Sequence, residues 1–315
     1  MDSGDPAVTR IVRALDPDAV ATSVRRLAGG ISASTLAVEL RSPDRPPDTV
    51  VVRVPERAAA AATSAVTAEF ALLRQLRARG LPVPEPRLLD ARGEVWGRPA
   101  LVLGHVAGAP CFDRKRWPQV APGLAETLAA IHDVDGGQAS FAGLPRAGDI
   151  AADRLARRPD EPDRELSEDR IRAALAACPL PPEPARPALL HGDFWPGNVI
   201  WRDGRVAAVV DWEQPAVGDP LADVGISRLD VLWVFGAEAM AAFTRTYVAR
   251  RACDPGSLAW WDLAAALRPA GRLSSWAAQY PDLGRPDVTT ATMRAAHRWF
   301  VDEALSALDR GGPNR

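Results

Sequence analysis

Residues 189 to 213 constrain this chain more than any other stretch. They read Leu189-Leu190-His191-Gly192-Asp193-Phe194-Trp195-Pro196-Gly197-Asn198-Val199-Ile200-Trp201, then a turn at Arg202-Asp203-Gly204, then the apolar run Val206 to Val210 and Asp211-Trp212-Glu213. Two short apolar runs joined through Asp-Gly predict a β-hairpin, with a loop before it and an acid at its exit. The hairpin brings Asp193, Asn198 and Asp211 to one edge. Any one of these residues alone reads equally well as part of an Asx-rich surface loop. Together they match what phosphoryl transfer needs, a carboxylate to take the proton of the attacking hydroxyl and oxygen ligands to hold magnesium on nucleotide phosphates.

Length and charge exclude other classes. At 315 residues the chain exceeds a typical single domain, so two lobes are expected. A net charge of -2 with no basic tail or arm gives no footprint for nucleic acid. The polar segment Met1 to Arg10 has no apolar run behind it, and no later run approaches the roughly 18 apolar residues of a bilayer span, so no membrane association and a cytoplasmic location are expected. Cys111, Cys178 and Cys253 lie far apart and fit reduced thiols, and the four histidines show no zinc spacing.

The first hundred residues predict strands around one helix. Ser23 to Leu27, Thr35 to Leu40 and Val50 to Val54 are β-prone, Ala58 to Arg79 has helical apolar spacing and stops at Gly80, and Arg87 to Asp90 and Ala100 to Val106 complete a small antiparallel sheet. The lobe boundary is placed at Gly108 to Pro110, with lobes at 1–106 and 107–315. Beyond it, Trp117 to His132, Val231 to Arg251, Ser257 to Tyr280 and Ala291 to Asp309 read as helices, and the Pro-rich run Pro179 to Pro187 leads into the informative stretch.

An Asp, four intervening residues, an Asn, and a second Asp at a strand end follow the catalytic order of protein kinases. With His191-Gly192-Asp193 and Asp211-Trp212-Glu213, the chain resembles the aminoglycoside phosphotransferase and choline-kinase-like group of small-molecule kinases. The resemblance implies an α+β, protein-kinase-like fold of two lobes: a small antiparallel β lobe with one main helix and a larger, mainly helical lobe. It implies Asp193 as catalytic base, Asn198 and Asp211 as magnesium ligands, and ATP or GTP as donor. Gly218-Asp219-Pro220-Leu221-Ala222-Asp223 stands at the family's distance after the second acid, where Asp219 and Asp223 brace the loops. His191 is implied to organise the loop and takes no proton. Glu213, in place of the Gly of the kinase Asp-Phe-Gly, argues against an activation-loop switch.

The phosphate grip must come from the first lobe, yet the only lysine in the chain is Lys115, beyond the boundary. Arg53, in Val50-Val51-Val52-Arg53-Val54, takes the place of the third-strand lysine; its permanent charge and bidentate geometry keep the electrostatic role. Glu69 on the following helix is its expected partner, against the plainer reading of a solvated helix acid. Gly29, Gly30 and Ser32, between two strands, offer backbone N–H groups to phosphates or form a plain hairpin turn. Leu103, His105 and Val106 match the segment that offers backbone groups to the nucleotide base, with the His105 side chain incidental.

The acceptor is expected at the last third of the chain. A polycationic acceptor calls for acidic surroundings, but residues 206–315 hold 13 Asp plus Glu against 11 Arg. Eight of the ten tryptophans fall between Trp195 and Trp299, so Trp195, Trp233, Trp276 and Tyr280, with Glu213, are candidates for an apolar wall around a partly apolar hydroxylated compound, though the same tryptophans also serve as helix-packing core. Three readings compete: a kinase of the antibiotic-resistance type, a metabolic kinase acting on a choline-, homoserine- or sugar-like acceptor, and an inactive nucleotide-binding pseudokinase. The only partner expected is the small hydroxylated substrate, in a monomer or dimer.

Overall fold

The computed structural model describes residues 2–27, 33–159 and 162–310; the expected phosphate turn at Gly29, Gly30 and Ser32 lies outside the described residues. The chain divides into two compact units, Met1–Gly108 with Ala207–Glu213, and Ala109–Val206 with Gln214–Arg315. The sequence placed the boundary after residue 106 and left 207–213 in the second lobe. Those residues join the first unit because Val209 N–H donates to the Pro82 carbonyl at 2.7 Å and Arg53 pairs with Asp211.

The first unit opens with a helix that the sequence reading passed over, α1 (Pro6–Leu15). Asp5 caps it by accepting the Ala7 N–H at 2.8 Å, Pro6 starts its first turn, and Val8, Ile11 and Val12 form its buried stripe. Strands β1 (Val20–Arg26), β2 (Ala33–Ser42) and β3 (Arg45–Pro55) follow, then α2 (Ala59–Ala78), β4 (Pro86–Asp90) and β5 (Ala100–Gly104). The five strands make one antiparallel sheet in the order β1-β2-β3-β5-β4.

Alternation along β3 sorts its side chains. Val50, Val52 and Val54 enter a core with Leu36, Val38 and α1, while Arg53, one residue out of phase, points to the opposite face, against which α2 packs. The sheet therefore has a dry face and a face carrying one buried cation.

The second unit begins with the short strand β6 (Ala109–Pro110) and α3 (Trp117–His132), continues through α4 (Ala147–Ala156) and α5 (Glu168–Ala177), and reaches β7 (Ala188–Leu190) and β8 (Val199–Arg202). Strand β9 (Arg205–Val209) carries the chain into the first unit, and β10 (Ala216–Gly218) returns. The Asp203-Gly204 turn has φ of 52° and 76°, the left-handed pair a two-residue I′ hairpin demands. Strand β7 pairs antiparallel with β10, Leu190 opposite Ala216.

Helices α6 (Leu221–Phe235), α7 (Ala237–Arg251), α8 (Leu258–Ala266), α9 (Leu273–Ala277) and α10 (Thr290–Arg310) complete the unit. The run expected as a helix from Val231 to Arg251 is two helices, because Gly236 at φ 96° turns the chain between α6 and α7. The stretch from Ser257 to Tyr280 is likewise interrupted, by Pro269 and by Gly271 at φ 69°. None of the described helices is long and apolar enough to cross a membrane.

Candidate active site

In the second unit, β7 ends at Leu190 and hands the chain to a loop tied down by one carboxylate. Asp223, in the first turn of α6, accepts the backbone N–H of His191 at 2.7 Å and of Gly192 at 2.9 Å. The same carboxylate meets His132 Nε2 at 3.2 Å, and His132 Nδ1 lies 2.6 Å from the Tyr247 hydroxyl. Burial disfavours the charged imidazole, so His132 titrates below its ordinary range and is neutral. A neutral ring fits one pattern, Nε2–H donating to Asp223 and Nδ1 accepting from Tyr247. Burial opposes the Asp223 charge, but these donors and His191 outweigh it and hold the carboxyl below its usual range.

Gly192 is required here. Its φ is 79°, and a Cβ at this position would overlap the carbonyl oxygen of Gln214. Two more bonds fix the far side of the loop: the Ser227 hydroxyl donates to the Phe194 carbonyl at 2.8 Å, and Asn198 Nδ2 donates to the Asp193 carbonyl at 2.9 Å. Asn198 is buried, and with its amide nitrogen so engaged, its amide oxygen is the atom left to bind a cation.

The Asp193 carboxylate is ion-paired with Arg268, which follows α8 and lies 3.9 Å from Asp230 on α6. Sequence reasoning missed both residues. The signal available was an arginine, followed by a proline, at the end of the mainly apolar stretch Leu258 to Leu267, whose one charge is Asp262: a charge in such a place needs a buried partner.

In the first unit, Arg53 Nη1 donates to both carboxylate oxygens of Glu69, at 2.6 and 2.7 Å, and Nη2 donates to Asp211 at 2.7 Å. Arg53 also pairs with Glu213, which has Arg57 3.4 Å away on its other oxygen. Burial alone would lower the Arg53 pKa, but the carboxylates of Glu69 and Asp211 hold it above the ordinary arginine value. Asp211 sits at φ 67°, and the buried Trp212 beside it anchors this turn by donating its indole N–H to the Val209 carbonyl at 3.1 Å.

This group also tests the unit's fit to magnesium. Three carboxylates face two guanidinium groups, so the cluster carries an excess negative charge, and the Asp211 side chain is the most exposed of the three at 38%. A hard divalent cation with phosphate oxygens suits that balance. No group of three or more His, Cys, Asp or Glu converges as a self-contained metal centre among the described residues.

Other expected residues fall differently. Glu213, expected at the acceptor, belongs to the Arg53 cluster, because both its oxygens are taken by arginines. The His105 peptide N–H, expected to face a nucleotide base, donates to Thr49 at 3.0 Å. Leu103 is committed to sheet pairing opposite Val51 and Pro86, which leaves Val106 just beyond these bonds.

Trp233 and Tyr280 are core residues rather than a pocket wall. They are 6% and 4% exposed, and the Trp233 indole donates to the Met293 carbonyl at 3.1 Å. Trp276 is half-buried and meets Trp233 edge-on at 6.2 Å. Trp195 is half-buried in the loop itself, its ring 5.9 Å from Phe112, and its indole lies where a Cβ on residue 197 would stand, so a side chain there would displace the ring.

Comparison with known proteins agrees with this architecture. A viomycin phosphotransferase of Streptomyces vinaceus is 32% identical over 168 residues, 46% of this chain and 55% of that protein. An acyl-CoA dehydrogenase family member 11 of Gallus gallus is 31% identical over 181 residues, 53% of this chain but 23% of that protein, so the chain spans about a quarter of this much longer relative. Among solved structures, a thermostable variant of aminoglycoside phosphotransferase APH(4)-Ia, in ternary complex with ADP and hygromycin B, superposes with a TM-score of 0.61 at 17% identity, over 98% of this chain and all of that one. It shares the kinase-like α+β fold. The model of the phosphotransferase enzyme family matches residues 23–261, most of the chain and all of the residues just described from Arg53 to Asp230, and the chain belongs to that family.

Proposed function

We propose that this protein transfers the γ-phosphoryl group of ATP or GTP to a hydroxyl of a small molecule, with magnesium bound to the nucleotide. The observation that carries the reading is the Asp193 loop. Its catalytic carboxylate is fixed by an arginine, its asparagine has only an oxygen to offer, and its backbone is braced by Asp223. In this reading Asp193 orients the acceptor hydroxyl and accepts its proton as the new bond to phosphorus forms. Arg53, held by Glu69, binds donor phosphate oxygens, and Asn198 with Asp211 would hold the metal. Magnesium, when bound, offsets the charge of the phosphates. Leu103 and Val106 are proposed beside the nucleotide base, and Trp195 and Trp276 at the acceptor.

Similarity to viomycin phosphotransferase and the hygromycin B complex supports an antibiotic or other natural product as acceptor. A metabolic acceptor is the second reading, favoured by the match to acyl-CoA dehydrogenase family member 11. Incubation with magnesium, ATP or GTP and a panel of hydroxylated antibiotics and metabolites, read by mass spectrometry, tests the function. A product heavier by one phosphoryl group, and lost in Asp193→Ala, is expected. Nucleotide binding with no product from any acceptor would move the weight to a pseudokinase.

A further inference from the structure

In the first unit, the loop between β3 and α2 carries a second arginine at the edge of the Arg53 cluster. The loop runs from Glu56 to Ala58, and its start is fixed because Arg98 Nη2 donates to the Pro55 carbonyl at 3.0 Å. Arg57 Nη2 then reaches one oxygen of Glu213 at 3.4 Å, while Arg53 holds the other. One carboxylate thus stands between two guanidinium groups, an inner side chain 11% exposed and an outer one 45% exposed. Burial pushes the Glu69 carboxyl up, and the charges that draw it back are those of Arg53 and, more weakly, Arg57, so the outer arginine belongs to the same field.

The two arginines are held very differently. Arg53 divides its terminal nitrogens among Glu69, Asp211 and Glu213. Arg57 has five N–H donors, and among the described residues only Glu213 engages one of them. An ion pair this long and this exposed contributes about 0–1 kcal/mol, so the side chain turns to a better anion at little cost. The neighbouring Glu56 is exposed and pairs with neither arginine among the described residues, and residues 28–32, outside the described ones, include no charged side chain.

Charge counting gives the reason for a second cation. Glu69, Asp211 and Glu213 bring three negative charges against the two positive charges of Arg53 and Arg57. A divalent ion beside Asp211 would turn that balance from minus one to plus one, but only to zero if Arg57 were absent. A polyphosphate is drawn to the first of these and not to the second.

We propose that Arg57 is a second phosphate-binding residue of the donor site, turning from Glu213 to close on the phosphate chain of a nucleoside di- or triphosphate from the solvent side while Arg53 stays fixed by Glu69. The assignment rests on the phosphotransferase reading for the donor site. The fork of Arg57 matches phosphate oxygens, so this loop recognises the charge of the phosphate chain rather than the nucleoside.

The test is binding of sodium tripolyphosphate, ATP and adenosine to the full chain, measured by calorimetry with and without magnesium. Arg57→Met is expected to weaken tripolyphosphate and ATP about tenfold, the loss of one charge-assisted contact, and to leave adenosine as it was. Arg57 is exposed, so the melting temperature should stay that of the wild type. Arg57→Lys, which keeps the charge without the fork, should recover part of the loss. Glu213→Gln separates binding from bracing. If Arg57 served only to hold Glu213, both variants would weaken tripolyphosphate alike, whereas a phosphate contact predicts that, without magnesium, Glu213→Gln binds it at least as tightly as the wild type. The assignment is overturned if Arg57→Met binds ATP and tripolyphosphate as the wild type does, or if the two variants lose affinity equally. Phosphoryl transfer to the acceptor panel is read on the same samples. Polyphosphate binding that depends on Arg57, with no transfer to any acceptor, would sink the kinase and leave the assignment standing; a wild type that binds neither ATP nor tripolyphosphate would overturn both.

Discussion

Arg53 grips both oxygens of Glu69 through a single terminal nitrogen, at 2.6 and 2.7 Å, leaving its second nitrogen for Asp211. A lysine at this position has one ammonium to divide among the same acids, whereas the guanidinium fork spans them. Arg53→Met is expected to leave Glu69 as a buried, unpaired carboxylate and to destabilise the protein by about 3–5 kcal/mol. Urea unfolding followed by tryptophan fluorescence measures this. The double variant Arg53→Met/Glu69→Leu should recover much of the loss, and an unrecovered double variant would show that the pair is not the cause.

Asp193→Ala should lower phosphoryl transfer by at least about a hundredfold, in line with the removal of a general base, while leaving nucleotide affinity within a factor of a few. Asp211→Ala should instead weaken binding of the magnesium nucleotide. Titration with a fluorescent nucleotide, with and without magnesium, separates the two. Full turnover in Asp193→Ala would remove the base from that residue.

Replacing Asp223 with alanine orphans the N–H groups of His191 and Gly192 and the ring N–H of His132, all buried or half-buried. Each unsatisfied donor costs about 1–3 kcal/mol, so a loss above about 3 kcal/mol is expected, together with loss of activity. Thermal denaturation checks the first and the transfer assay the second. A stable but inactive variant would confine the role of Asp223 to placing the loop.

Gly192→Ala meets two obstacles at once, a left-handed φ of 79° and collision with the Gln214 carbonyl. The backbone term alone is about 1–2 kcal/mol, and the loop must shift to admit the methyl group. Activity should fall further than stability. Equal activity with an unchanged melting temperature would show the loop to be more yielding than its hydrogen bonds indicate.

Burial raises the Asp230 carboxyl from 3.8 to about 7, with Arg268 opposing the shift and Asp193 adding to it. Between these values the native state holds a proton that the unfolded chain has released. The native state therefore binds more protons, and this group's contribution to stability falls as pH rises from about 4 to about 7. Asp230→Asn is neutral at every pH and should flatten that part of the profile. Urea midpoints of both proteins across the window provide the comparison, and parallel slopes would assign the pH dependence to other groups.

Much of this architecture was legible because it is local. The Asp203-Gly204 turn, the β-prone run Val50 to Val54 and the helical spacing from Trp117 to His132 each specify an element within a few residues, and all three are found. The first helix was passed over because its apolar stripe is only Val8, Ile11 and Val12, set among polar residues. The breaks at Gly236 and Gly271 were passed over because helix propensity on either side is strong, while a glycine marks a turn only when packing redirects the chain.

The sequence by itself determined the family, and it singled out Asp193, Asn198, Asp211 and Arg53 as candidates, since each rests on residue type and spacing. Only the tertiary structure decided which charges meet. Glu213 belongs with Arg53, and Asp193 with Arg268. Trp233 and Tyr280 lie in the core rather than on a pocket wall. Ion pairing and burial depend on distances between segments far apart in the chain, 158 positions for Arg53 and Asp211. A periodicity of two or 3.6 residues carries no information over such a separation, and there the energy of bringing charges out of water selects the partners.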